Sequence, residues 1–200
     1  MKNVIALLLL VVASGGQRPT ATRSFAWNWQ NAQELTVAGQ SLSTSKDISP
    51  SDRTRLLEAL VEQFKGESKP RERAARTRVK LLDLNGDGVP EVVCQASDDQ
   101  MCSPTGNCTF WIFRRDSTGY RLLLKKAAIQ TFTIQRTQTE GYFDVVLGMH
   151  GSATEQELFL YRFRDGRYRR TACYQAKWTY LGKDGEYHDL KEPRITPCPR

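Results

Sequence analysis

Residues 79–96 read VKLLDLNGDGVPEVVCQA, two apolar runs joined by a loop of Asp, Asn and Gly. Runs rich in Val and Leu are typical of β-strands, and Asn-Gly and Asp-Gly steps favour tight turns. The stretch therefore predicts two antiparallel strands joined by a tight connection. The whole chain has 200 residues, 40% hydrophobic and 26% charged, which is enough apolar material for one packed core and excludes a disordered or collagen-like protein.

The same alternation of apolar runs with Gly or Asp turns continues to residue 174. Because turns of about two to five residues are too short for parallel crossovers, the runs predict an antiparallel meander. The eight predicted strands are Val79 to Leu84, Val89 to Ala96, Thr109 to Arg114, Tyr120 to Lys126, Phe132 to Arg136, Tyr142 to Met149, Glu157 to Arg164 and Tyr168 to Tyr174.

The last four runs resemble the first four. Gly88–Cys94 aligns with Gly141–Leu147. Phe113–Arg121 is likewise similar to Phe163–Arg169. We therefore expect a mainly β fold of two blade-like, four-stranded units, with residues 100–108 as an insertion in the first. The alternative is a chance likeness between two stretches rich in hairpins, which share turn chemistry.

The first sixteen residues have the three-part layout of a secretory signal. Lys2 precedes an apolar run, Val4–Ala13, and small residues follow before polar sequence resumes at Gln17. The run is about half the roughly 20 residues that a membrane-spanning helix needs, so we expect no transmembrane anchor. Residues 1–16 are interpreted as the signal peptide of a secreted or periplasmic protein. A buried N-terminal strand is the alternative.

Three further segments make up the rest of the chain. Residues 17–48 contain an alternating aromatic trio centred on Trp27, which predicts a partly extended segment. Ser49 followed by proline is a helix start, and apolar residues recur at helical spacing, so residues 49–66 predict the one N-terminal helix. Residues 71–200 predict the β domain.

The loop between the first two strands has the spacing of a calcium-binding loop. Oxygen-bearing side chains occupy its first, third, fifth and ninth positions, and glycine occupies the sixth. Ca²⁺ binds about six to eight oxygens, which a tight loop supplies from alternate residues. The loop spans 83–91, and its predicted ligands are Asp83, Asn85, Asp87, the carbonyl of Val89 and Glu91. The alternative is a hairpin turn that binds no ion.

This loop resembles the calcium loops of FG-GAP and VCBS-type repeats, which join two strands of a β-propeller blade. The resemblance covers about fifteen residues closely and the two units loosely, and it implies a Ca²⁺ ion with a structural role. The twelfth position is Cys94 instead of the Glu of an EF-hand. A closed propeller needs about four blades or more, so either the fold is a two-sheet relative or several chains assemble. The second copy predicts no calcium site, because its matching positions are Arg136, Gln138, Glu140 and Asp144.

The five cysteines predict disulfides in an oxidising compartment. Cys102 and Cys108 bracket a turn, and we expect them to pair. Cys173 and Cys198 would tie the proline-rich tail to the last strand, which leaves Cys94 over. Spacing alone does not fix this pairing, and a zinc site is the alternative, although the chain has no paired C-x-x-C.

Catalytic signatures are few in this sequence. His150, one of two histidines, is interpreted as a turn residue, because Asp144 is about 20 Å away along an extended strand. Asn107 begins a glycosylation sequon, which matters only in a eukaryotic source. The chain has no nucleophile elbow, phosphate loop or H-E-x-x-H, so we expect no catalytic activity.

Basic residues outnumber acidic ones by 29 to 22, and many of them lie in the last predicted hairpins. A two-residue turn at Asp165 would place Arg164 opposite Arg167. The next pair would be Arg162 and Arg169, and sheets disfavour such like-charged pairs. An anionic partner would relieve them, while a solvated strand face is the alternative. Nucleic acid is not expected for an exported protein, which favours an anionic glycan, lipid or protein.

Together these features predict a secreted, non-catalytic, calcium-binding β-repeat protein. We expect it to be a binding or adhesion module for an extracellular or cell-envelope partner. Two alternatives are a secreted hydrolase that uses acidic residues with His150, and an inhibitor of a secreted enzyme.

Overall fold

The computed structural model describes Trp27 and residues 39–199. The helical elements are α1 (Pro50–Val61), a 3-10 turn (Glu62–Phe64) and α2 (Pro70–Arg76). The strands are β1 (Gln40–Ser41), β2 (Arg78–Leu82), β3 (Glu91–Gln95), β4 (Cys108–Arg115), β5 (Tyr120–Ile129), β6 (Thr131–Thr139), β7 (Tyr142–His150), β8 (Glu155–Arg164), β9 (Arg167–Leu181) and β10 (Tyr187–Pro197).

The strands form two antiparallel five-stranded sheets. Sheet A has the order β1-β2-β3-β4-β5, and sheet B has the order β10-β9-β8-β7-β6. Each of the eight predicted strands corresponds to one strand from β2 to β9, so the mainly β meander of two blade-like units is confirmed. The structure adds β1 and β10, one at an outer edge of each sheet. Unit 1 is hereafter β2–β5 and unit 2 is β6–β9.

The predicted helix is present, and its start follows the predicted chemistry. The Ser49 hydroxyl accepts a hydrogen bond from the backbone N–H of Asp52 at 3.1 Å, and proline occupies the first turn. The helix continues as a 3-10 turn to Phe64. A second helix, α2, occupies a charged stretch that we did not expect to be helical. Its Arg73 is buried and holds the helix against the body of the protein through Asp98.

Three apolar clusters give the molecule its layers. The largest lies between the sheets and contains side chains from both, such as Val93 of β3 and Leu147 of β7. The second lies between the outer face of sheet A and the helices, where Trp111 packs 5.6 Å from Phe64 between ring centroids. The third lies on the outer face of sheet B, where the ring of Trp27 meets Tyr174. Helices therefore cover unit 1, and Trp27 covers part of unit 2.

Aligned residues of the two units point in opposite directions relative to the centre of the molecule. Val93 faces the cluster between the sheets, whereas its counterpart Val146 faces the outer cluster of sheet B. Trp111 faces the helices, whereas its counterpart Tyr161 faces the cluster between the sheets. The face of unit 1 that packs against unit 2 is therefore not the equivalent face of unit 2. Neighbouring blades of a propeller pack in the same way.

Both predicted disulfides form, Cys102–Cys108 and Cys173–Cys198, and Cys94 is a buried free thiol. Burial raises the pKa of the Cys94 thiol far above its ordinary value, so this thiol stays protonated. In the described part of the chain, no helix is long and apolar enough to cross a membrane. The predicted signal peptide, residues 1–16, lies outside the described residues, as does most of the segment 17–48.

Candidate functional site

The predicted calcium loop is held closed by hydrogen bonds between its own side chains and backbone. The Asp83 carboxylate accepts the backbone N–H groups of Gly86 at 2.7 Å and Gly88 at 3.0 Å. Asn85 donates its side-chain amide to Asp87 at 2.8 Å. Asp87 accepts the backbone N–H of Val89 through its other oxygen, also at 2.7 Å. These three side chains therefore lie together in the exposed loop.

These hydrogen bonds favour the ionised form of Asp83. Desolvation alone would raise the pKa of this carboxyl, but the N–H groups of Gly88, Gly86 and Asn85 outweigh it, so the pKa lies below its ordinary value. A carboxylate oxygen that accepts one N–H keeps a second lone pair for another partner. The side chains of Asp83, Asn85 and Asp87, with the carbonyl of Val89, thus fit a hard cation in donor type.

Glu91, the fifth predicted ligand, faces the core instead of the loop. It is 1% exposed and accepts the backbone N–H of Leu84 at 2.9 Å. Its other oxygen accepts the hydroxyl of Tyr142 at 3.4 Å, and Arg114 donates to that same hydroxyl at 3.2 Å. Desolvation raises the pKa of Glu91 above its ordinary value. Among the described residues, no three His, Cys, Asp or Glu side chains form a metal site.

This buried network connects the loop to the second unit. Leu84, which follows the first loop residue, also accepts the backbone N–H of Phe143 at 2.8 Å. Tyr168 donates its hydroxyl to the carbonyl of Phe143 at 3.0 Å. The position of the loop is therefore fixed by both sheets.

The second copy of the loop uses its acidic residue differently. Asp144 is 1% exposed and accepts the hydroxyls of Thr137 at 2.6 Å and Thr139 at 2.7 Å. Arg162 donates to the same carboxylate at 3.4 Å. Glu140 lies at the turn, where it accepts the backbone N–H of Asp165. The other matching positions, Arg136 and Gln138, lie on β6.

We predicted that His150 is a turn residue, but it is the last residue of β7, where it pairs with Gln156. The side chain of Asn107 binds both backbone groups of His150, donating to its carbonyl at 2.9 Å and accepting its N–H at 2.8 Å. Because Asn107 is buried and both ends of its amide are bonded, the sequon is not presented for glycosylation in this fold. Asp144 is bonded to threonines and Arg162, so it does not form a catalytic pair with His150.

The basic hairpin has the predicted register. Asp165 and Gly166 both have positive φ, as a two-residue type I′ turn requires, and Arg164 lies opposite Arg167. Arg162 lies opposite Arg169. The charges of this second pair, which lies farther from the turn, are neutralised, because Arg162 contacts Asp144 and Arg169 contacts Asp165.

The pair next to the turn lacks such neutralisation. In the described part of the chain, neither Arg164 nor Arg167 has a carboxylate oxygen within 4.0 Å. Two like charges on neighbouring strands repel each other, so this end of the hairpin favours an anion.

A groove of about 620 Å³ runs beside this hairpin. One wall is a stretch of β5, Leu122–Lys125, and the other is the start of β9, Arg167–Arg170, with Tyr161 of β8 between them. Two cations converge at its end: Lys126 lies 4.8 Å and Arg170 5.7 Å from the ring centre of Phe159. The groove therefore combines basic side chains with aromatic and aliphatic surface.

The groove and the Glu91 network could not be predicted from the sequence, and for the same reason. Both depend on which residues of β5 and β9, or of β3 and β7, meet across the two sheets. The repeat could have indicated the pairing of Glu91 with unit 2 only if the relative orientation of the units had been known.

The chain matches no protein-family model, no curated protein and no solved structure.

Proposed function

We propose that this chain is a non-catalytic binding module that acts outside the cytoplasm and binds a polyanionic partner with its β8–β9 hairpin. The observation that carries the proposal is the facing pair Arg164 and Arg167, two cations on neighbouring strands without a carboxylate within 4.0 Å among the described residues. A sheet disfavours such a pair unless an anion bridges it. The groove beside the hairpin gives the anion a concave surface.

Two disulfides support a site of action outside the cytoplasm. Both cysteine pairs are oxidised, and such bonds persist in oxidising compartments. Residues 1–16, which have the layout of a secretory signal, support the same location.

A calcium ion in the loop would give this module rigidity. The side chains of Asp83, Asn85 and Asp87 and the carbonyl of Val89 would hold it, because these oxygens lie on one exposed loop. Glu91 would support the ion indirectly, as the buried carboxylate that fixes the end of the loop. This role matches the structural calcium of the FG-GAP and VCBS-type repeats that the loop resembles.

Binding to polyanions tests the proposal. Retention on heparin and on polyglutamate should fall with added salt, and Arg164→Gln with Arg167→Gln should elute at clearly lower salt. The matched control is Lys46→Gln with Lys65→Gln, which removes the same charge from exposed positions near the helices. Equal elution of the two variants, or no retention of the wild type on either polyanion, would refute the proposal.

A further inference from the structure

The groove lies between two strand edges that have no neighbour. β5 is the last strand of sheet A, so among the described residues its edge away from β4 has no strand partner. β9 pairs with β10 only from Tyr174 onward, so its first part, which lines the groove, has β8 as its one partner. A strand edge with free N–H and C=O groups is a template for another strand.

Unit 2 shows how such an edge is completed. There the last strand of the unit, β9, carries β10 as an added antiparallel strand along its second half. Unit 1 ends at β5, and the described residues provide no strand beyond it. An additional strand beside β5 would extend sheet A and cover the part of sheet B that Tyr161 exposes to the groove.

Positive charge restricts which strand fits there. Lys125, Arg167 and Arg170 line or flank the groove, and none has a carboxylate oxygen within 4.0 Å among the described residues. A second copy that offered its own β5 or β9 would bring like charges into the groove. A polysaccharide would satisfy the cations but has no backbone amides to pair with a strand edge in register.

We infer that this groove binds an extended acidic peptide segment of a partner protein, which pairs with the free edge of β5. The inference rests on the proposed function and specifies its partner. Carboxylates on alternate residues of the segment would meet Lys125, which lies opposite Trp111 on the face of sheet A that is directed away from sheet B. Apolar side chains on the other residues would face sheet B and pack on the inward-facing leucines of β5 and on Tyr161, opposite which Arg170 lies on the same face.

The first experiment compares four synthetic probes by calorimetry. The parent is a peptide of alternating Glu and Val, and the second peptide has Gln in place of Glu. The remaining two carry N-methyl groups on alternate amides, so that each blocks one edge of the peptide. We expect the Gln peptide to bind roughly tenfold or more weakly, and one N-methylated peptide to lose affinity by a similar factor while the other keeps it.

The second experiment changes the protein. Lys125→Gln with Arg170→Gln should weaken binding of the parent peptide by about tenfold, whereas the control Lys46→Gln with Lys65→Gln should bind within about twofold of wild type. Hydrogen exchange with the parent peptide bound should slow at the amides of Leu122–Lys125, which pairing at the β5 edge would protect.

The possible outcomes separate the two proposals. Heparin binding without peptide binding would overturn the peptide inference and leave the polyanion function standing. Peptide binding that is indifferent to both N-methyl patterns, or that leaves exchange at Leu122–Lys125 unchanged, would also overturn it. If no polyanion and no peptide bind, both proposals are wrong.

Discussion

The two units place an acidic residue at the same aligned position and use it in different ways. Glu91 of unit 1 is directed between the sheets, where it binds Leu84 of its own unit and Tyr142 of the other. Asp144 of unit 2 binds two threonines and Arg162 of its own unit. The stacking of the units therefore decides the role of this residue: the same face is an interface in unit 1 and an outer surface in unit 2.

The largest effect should come from the aligned pair Trp111 and Tyr161. Trp111→Ala removes a fully buried side chain that packs on Phe64 of the helical layer, and we expect a loss of about 3–5 kcal/mol in the free energy of unfolding. Hydrogen exchange should show α1 opening before β7. Tyr161→Ala, at the sheet interface, should instead open both sheets together.

Trp111→Phe is the control for that experiment. The indole N–H of Trp111 is buried without a hydrogen-bond partner in the described structure, so phenylalanine keeps most of the apolar contact and leaves no unpaired donor. A loss close to that of Trp111→Ala would contradict the packing explanation.

The disulfides allow a second comparison, because one lies within unit 1 and the other ties the segment after β10 to unit 2. Replacing Cys173 and Cys198 by serine should cost about 3 kcal/mol of stability, and replacing Cys102 and Cys108 about 2 kcal/mol, because the loop entropy of the unfolded chain rises with the sequence separation. The separations are 25 and 6 residues. Denaturant unfolding of both variants measures the order, and the reverse order would show that native-state contacts outweigh chain entropy here.

Glu91 and Asp144 themselves provide the third comparison. Glu91→Ala leaves the N–H of Leu84 buried without its acceptor, and we expect a loss of about 2 kcal/mol. We expect Asp144→Ala to lose about 2 kcal/mol of stability as well, but without loosening the contact between the sheets. Hydrogen-exchange signals from β3 and β7 distinguish the two variants.

The pH dependence of Glu91→Gln sharpens this test. Burial raises the folded-state pKa of Glu91, so its contribution to stability is complete below its unfolded pKa and is lost as the pH rises through the folded pKa. We therefore expect Glu91→Gln to gain stability relative to wild type as the pH rises above about 4, the ordinary pKa of an unfolded Glu. Urea unfolding at several pH values measures the difference, and a constant difference would rule out the raised pKa.

The smallest effect should be that of calcium, which distinguishes the loop of unit 1 from its counterpart. With a Kd of about 10⁻⁴–10⁻³ M, a few millimolar Ca²⁺ should stabilise the wild type by about 1–2 kcal/mol. This stabilisation should appear as a rise in melting temperature. Asp83→Ala and Asp87→Ala should each abolish the rise, whereas Glu140→Ala in unit 2 should leave it unchanged. Identical melting of the wild type with and without Ca²⁺ would remove the metal from the proposal.

Much of this fold could be predicted because its signals are local. The turn at Asp165 set the register of the β8–β9 hairpin, and that register placed Arg164 opposite Arg167 as expected. Ser49 and the following proline likewise marked the start of α1. The short spacing of Cys102 and Cys108 predicted their bond.

The missed features depend on contacts that are distant in sequence. The seven-residue helix α2 has few apolar residues, and it is held by the buried Arg73, whose partner Asp98 lies in another loop. β10 contains Pro193 next to a break in its pairing with β9, so its composition does not indicate a strand. The inward direction of Glu91 could not be predicted, because β3 is buried on both faces and alternation gives no preferred side.

The opposite orientation of aligned residues has a consequence for assembly. Two copies of a unit that meet through unlike faces make a heterologous contact, which can be repeated and yields a closed ring or an open filament, depending on the rotation between the copies. The free face of unit 2 is of the kind that unit 1 buries, and the free face of unit 1 is of the kind that unit 2 buries. The helices and Trp27 thus cap the two ends of the stack, and a chain that lost both would expose two complementary faces to which further copies could add.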